Sequence, residues 1–106
     1  MAFVGSSLAA GQVATSWATI YTSTGAKTVM KSADFLNIHA LTQIVEVRVV
    51  FSGGSGREVG RAKLEVDEKY ALLSEGEVLV MSSGDTIEAQ TTTASAVDFT
   101  LTGATE

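Results

Sequence analysis

Between Ala96 and Thr102 the chain alternates without a break, with Val97, Phe99 and Leu101 apolar and Asp98, Thr100 and Thr102 polar. Successive side chains on a strand project to opposite faces, so this segment predicts one buried face and one wet face. Upstream, Val78 to Met81 is a short apolar run and Thr86 to Thr93 is Thr-rich. In Ser82-Ser83-Gly84-Asp85 the glycine accepts positive φ, while Ser and Asp side chains cap nearby amides. Glu77 to Gly103 therefore reads as a three-strand meander. Such a unit does not hold in water without a second apolar surface, which the rest of the chain must supply.

Read in order, Met1 to Ser16 has small residues, Gly5 and Gly11, and no sustained period. It is expected to be an extended arm that packs on a neighbour through Phe3, Val4 and Leu8. Trp17 to Thr22 is β-branched and aromatic and reads as a first strand, one that offers an edge for pairing. After a turn at Gly25, Thr28 to Leu36 is a long strand. Val29, Ala33 and Phe35 are expected on one side and Met30 and Leu36 on the other. Lys31 and Asp34 interrupt these faces and predict a bend or bulge. Asn37 ends the strand by bonding its own backbone.

Ile44 to Phe51 is the clearest strand, with Val45, Val47, Val49 and Phe51 on one face and Glu46 and Arg48 on the other. Ser52 to Gly60 has four glycines in nine residues and reads as a flexible loop. Arg61 to Val66 alternates again. Asp67 to Leu73 fits either a helical turn or more strand, and Ser74-Glu75-Gly76 turns the chain. About seven strands at this spacing predict an all-β, antiparallel sandwich or barrel-like jelly roll over residues 17–106.

At 106 residues and 11.0 kDa, 45% hydrophobic and 18% charged, the chain suits one globular domain. A net charge of −5 with scattered Lys and Arg argues against nucleic acid as a partner. No stretch approaches the ~20 apolar residues of a membrane span, and the N-terminus makes a poor signal peptide. A soluble protein is expected. Cys is absent, which removes disulfides and thiolate metal sites.

No constellation points to catalysis, and no metal or cofactor is expected. His39 is the single histidine and lacks a visible nucleophile or carboxylate partner. Asp85 and Glu88 are too few for a Ca²⁺ loop. Gly53-Gly54-Ser55-Gly56-Arg57 lacks the Lys-Ser/Thr ending and following helix of a phosphate loop. Asp67, Glu68, Glu75 and Glu77 read as solvated surface charge. Trp17 and Tyr21 fall on one face of a regular strand, which leaves a sugar-stacking platform to weigh against simple core packing.

Two stretches, IYTSTGAKTVMKSADFLN and LLSEGEVLVMSSGDTIEAQTTTASAVDFTLTGATE, resemble the opening and closing of small tailed-bacteriophage virion proteins. The shared features are a Tyr-Thr, a glycine turn, an apolar strand with Lys-Ser and an Asn; then Gly-Asp-x-Ile, Ala-Val, an alternating strand and a terminal Glu. In this sequence Ile38, His39 and Leu41 follow Asn37 in place of small polar residues, and Thr24 replaces a proline. The resemblance implies a non-enzymatic β-sandwich located in the virion. Its role there would be head decoration (cement) on the major capsid protein, or a tail or baseplate component. A homo-oligomer such as a trimer is then expected. The contacts should come from the arm (Phe3, Val4, Leu8) and the glycine-rich loop (Gly53, Gly54, Arg57), which order on docking. A small carbohydrate-binding module is the competing expectation.

Overall fold

The structure, a computed structural model, describes residues 4–52 and 54–105. Among these residues there are nine strands: β1 Val4–Gln12, β2 Ala18–Thr22, β3 Lys27–Asn37, β4 Gln43–Val50, β5 Gly56–Leu64, β6 Lys69–Ala71, β7 Leu79–Ser82, β8 Thr86–Thr91 and β9 Val97–Thr105. One sheet has the order β1-β9-β3, with β6 and β7 sharing the far edge of β3. The other runs β2-β8-β4-β5, and every pairing is antiparallel. The expected all-β sandwich is what forms, with two more strands than the seven expected. Its envelope is 45 × 27 × 20 Å.

The core lies between the sheets and is built by alternation. Val97, Phe99 and Leu101 from β9 meet Val45, Val47 and Val49 from β4, with Met30, Phe35, Met81 and Ile87 filling the space. Each fully buried side chain of this size contributes about 1.5–3 kcal/mol relative to an exposed one. Asp98, Thr100 and Thr102 stay on the outer side, as the alternation predicts.

Four expectations are corrected. The closing stretch is not a meander: β7 pairs with β3, β8 lies between β2 and β4, and β9 lies between β1 and β3. Alternation fixes which way side chains face but not which strand lies alongside. Residues 4–12 are not a free arm, because β1 pairs with β9 from Val4 opposite Thr105 to Gln12 opposite Asp98. The glycine-rich loop is shorter than expected, since Gly56 to Gly60 already pair with Val50 to Val47. A Cβ at Gly60 would overlap Tyr70 on β6 and Leu72 just after it, so the residue is small because the sheets close there. Finally, Phe51 is not in the core but 47% exposed, because β4 ends at Val50. The ambiguous Asp67 to Leu73 segment is strand only at Lys69–Ala71, with Asp67 in the turn before it and a bend at Leu72 and Leu73.

Register shifts explain where the face assignments go astray. The expected irregularity of β3 lies at Lys31, between Met30 opposite Gly103 and Ser32 opposite Thr102. It flips the phase of the strand, so Met30 is buried together with Ala33 and Phe35, while Val29 is only half-buried. On the other side of β9 a second shift lies at Leu8, which lets Leu8 and Ala9 both pack on the core.

Candidate interaction surface

At each end of the sandwich a buried polar side chain ties loops together. At the end where β3, β5 and β8 finish, Asn37 is fully buried. Its Nδ2 donates to the carbonyls of Leu41 (3.0 Å), Leu64 (3.0 Å) and Glu65 (3.2 Å), while its Oδ1 accepts the His39 N–H at 2.8 Å. Its backbone bonds the β5–β6 turn through Glu68 and Asp67, and Thr42 donates to Glu65 at 3.0 Å. The β3–β4 loop and the β5–β6 turn are thus held as one piece. At the opposite end Asp85 accepts the N–H groups of Ser52 (2.9 Å) and Ser82 (3.0 Å), and Gly84 takes a φ of 89° beside it. Asp85 is a turn residue, as its sequence context implies, and its oxygens are already taken.

The Asn37 end carries exposed apolar side chains: Leu41 at 66%, Val66 at 49% and Ile38 at 46%. Among the described residues, the two non-glycine positions with positive φ, Asp67 at 63° and Ser95 at 57°, lie at this same end. Left-handed backbone costs roughly 1–2 kcal/mol per residue outside glycine and persists where the surroundings dictate it. Glu65, Asp67 and Glu68 are exposed and surround this apolar tip with negative charge.

The expected contact residues are not brought together. Phe3 and Gly53 lie outside the described residues. Val4 begins β1, Leu8 packs on the protein's own core, and Gly54 closes a turn by donating its N–H to Phe51 O at 2.8 Å. Arg57 is exposed on β5. Strands β1 and β5 are edges of different sheets on opposite sides of the sandwich, so Val4 and Arg57 share no surface.

The aromatic pair is also divided. A register shift at Ile20 in β2 puts Tyr21 opposite buried Ile87, where its hydroxyl bonds Thr28 at 3.1 Å. Trp17 instead lies on the outer side of the second sheet, 4.3 Å from the Arg48 guanidinium carbon. Arg48 Nε donates to Glu88 at 2.7 Å, and Arg61 lies 3.8 Å from Glu46. A side-chain bond with Glu46 raises the Glu58 carboxyl above its usual range, and burial raises the Tyr70 phenol. This outer ladder of Trp17, Arg48, Glu88, Glu46, Arg61 and Gln90 was not anticipated. The one available signal was the polar half of the β4 alternation, Glu46 and Arg48.

His39 is half-buried and its Nδ1 accepts the Leu41 N–H at 3.2 Å, a local turn contact. Among the described residues no three His, Cys, Asp or Glu side chains converge on a common point. No described helix is long and apolar enough to cross a membrane. Compared with family models, curated proteins and solved structures, the chain matches none.

Proposed function

We propose that this protein is a non-enzymatic structural subunit of a tailed-phage virion, a capsid decoration protein that binds the head shell. The reading starts from the two stretches that resemble such proteins. The observation that carries it further is the Asn37 end, where Ile38, Leu41 and Val66 are held exposed on loops pinned by hydrogen bonds from the buried Asn37 side chain. A rigid apolar tip loses little conformational entropy on docking, so more of its contact energy is retained as affinity. Ile38 and Leu41 are also the positions that depart from the family pattern, which fits a tip matched to its own shell.

The incorporation of residues 4–12 into the sandwich weighs against docking by an N-terminal arm. Our reading puts the contact instead on the loops at the Asn37 end. Acidic Glu65, Asp67 and Glu68 imply a basic rim on the shell site, with association weakened by salt.

The test is co-sedimentation of the purified protein with decoration-free phage heads. Saturable binding in fixed ratio to the shell subunit, lost in Leu41→Asp, is the expected result. Absence of binding by a folded protein to any such head overturns the reading and leaves a tail component or a glycan-binding module.

A further inference from the structure

The four sheet edges are unequally protected. Exposed edges invite pairing with other chains, and natural sheets blunt them with short strands, charge, bulges or proline. Strand β5 carries Arg57, Glu58, Arg61 and Lys63. Strands β6 and β7 are three and four residues long, and β2 has five. Strand β1 is nine residues long, VGSSLAAGQ, with neither a charge nor a proline. Its one protective feature is the register shift at Leu8, which leaves residues 9–12 as a regular segment.

The hydrogen-bonding direction along that segment follows from its neighbour. Val13 N–H donates to Val97 O at 2.9 Å, and antiparallel pairs alternate between bonded and non-bonded. Gly11 and Ala9 therefore point their backbone groups at β9, whereas Ala10 and Gln12 point theirs away from it. Ala10, Gly11 and Gln12 are exposed, and among the described residues β1 pairs only with β9.

We propose that β1 pairs antiparallel with β1 of a second copy of this chain, making one sheet continuous through a two-fold dimer. Charge selects this occupant. Each copy carries −5, so most face-to-face arrangements set acids against acids, whereas β1 against itself brings no charged residue of either strand opposite another. A two-fold axis at Gly11 sets Ala10 of one copy opposite Gln12 of the other, where the outward groups pair reciprocally. This inference stands independently of any role in a virion.

Sedimentation equilibrium of the full chain from about 1 µM to about 1 mM tests it. The wild-type mass is expected to rise from 11.0 kDa towards twice that value. Ala10→Pro removes an outward N–H, which an edge strand tolerates, and is expected to remain at the monomer mass with an unchanged circular-dichroism spectrum. Should that variant unfold, Gln12→Pro decides, because it removes the other outward N–H of the reciprocal pair. It should weaken the dimer at least tenfold. A wild type that stays monomeric at the highest concentration overturns the proposal, as does a folded variant that dimerises like wild type.

Discussion

Gly103 faces Met30 across the β9–β3 pair with no room for a side-chain carbon. A Cβ there would overlap the Val29 carbonyl oxygen and lie 2.9 Å from Met30 Cα. The colliding atoms are backbone and cannot rotate aside. The close approach lies beside the register shift at Lys31. Gly103→Ala is therefore expected to destabilise the fold by about 2–3 kcal/mol or more, measured by urea unfolding. Gly54→Ala, with ordinary contacts and no positive φ, should change stability by less than about 0.5 kcal/mol. Equal effects at the two positions would remove the steric account.

Asn37 offers a sharper test of the loop end. Replacing it by Ala removes one donor from three carbonyls and the acceptor of the His39 N–H; the Leu41 carbonyl keeps Gln43 Nε2 and the Glu65 carbonyl keeps the Glu68 N–H, so the cost is about 2–3 kcal/mol. Asn37→Asp should be worse at neutral pH, since a carboxylate cannot donate to carbonyls and adds charge among them. Acidification should partly restore that variant, because the protonated acid regains one donor. Thermal unfolding of both variants at two pH values checks the order.

These two residues also show what was legible in the sequence. Asn37 could be recognised as a strand terminator because its side chain reaches its own backbone, a local event visible in local sequence. Its bonds to Leu64 and Glu65, by contrast, join segments 27 and 28 residues away. Strand positions followed from alternation, but strand partners did not, because a period of two is the same for every neighbour. One-residue shifts at Leu8, Ile20, Lys31 and Val59 then moved individual side chains between faces. The Trp17–Tyr21 platform assumed one regular strand through both residues, whereas β2 begins at Ala18 and shifts register at Ile20. The Asn37 tip was visible only as an odd apolar composition after the strand.

At the other end, the Asp85 carboxylate holds two chain segments by their amides. Asp85→Ala should cost about 2–3 kcal/mol, as charge-assisted bonds to Ser52 and Ser82 are lost from a buried site. Asp85→Asn retains one accepting oxygen and should lose about half as much. Amide hydrogen exchange at Ser52 and Ser82 should accelerate in both variants and remain slow at Asn37.

Glu58 gives a pH signature. Its bond with Glu46 raises its carboxyl above 4.5, so between 4.5 and the raised value the folded chain binds more protons than the unfolded one. Stability from this group is present at the acid side of that window and is lost as pH rises through it. Glu58→Gln should flatten this part of the Tm–pH curve, with little change on the acid side. A wild-type curve whose slope there is unchanged by the substitution would show that Glu46 and Glu58 do not share a proton.

Trp17 reports on the outer ladder, since it is the single tryptophan and lies over the Arg48 guanidinium. Arg48→Met keeps an apolar stem beneath the ring while removing both the cation and the ion pair with Glu88. Because the Arg48 and Glu88 side chains are 32% and 20% exposed, solvent screens the pair, and the loss should be only about 1 kcal/mol. Trp17 fluorescence should nevertheless shift, as the charge against its ring disappears. Glu88→Gln separates the two contributions: it weakens the ion pair but leaves Arg48 charged above Trp17. Stability should then fall with little change in emission. If Glu88→Gln moves the emission as far as Arg48→Met does, the carboxylate is what holds the guanidinium on the ring, and the three side chains act as one unit.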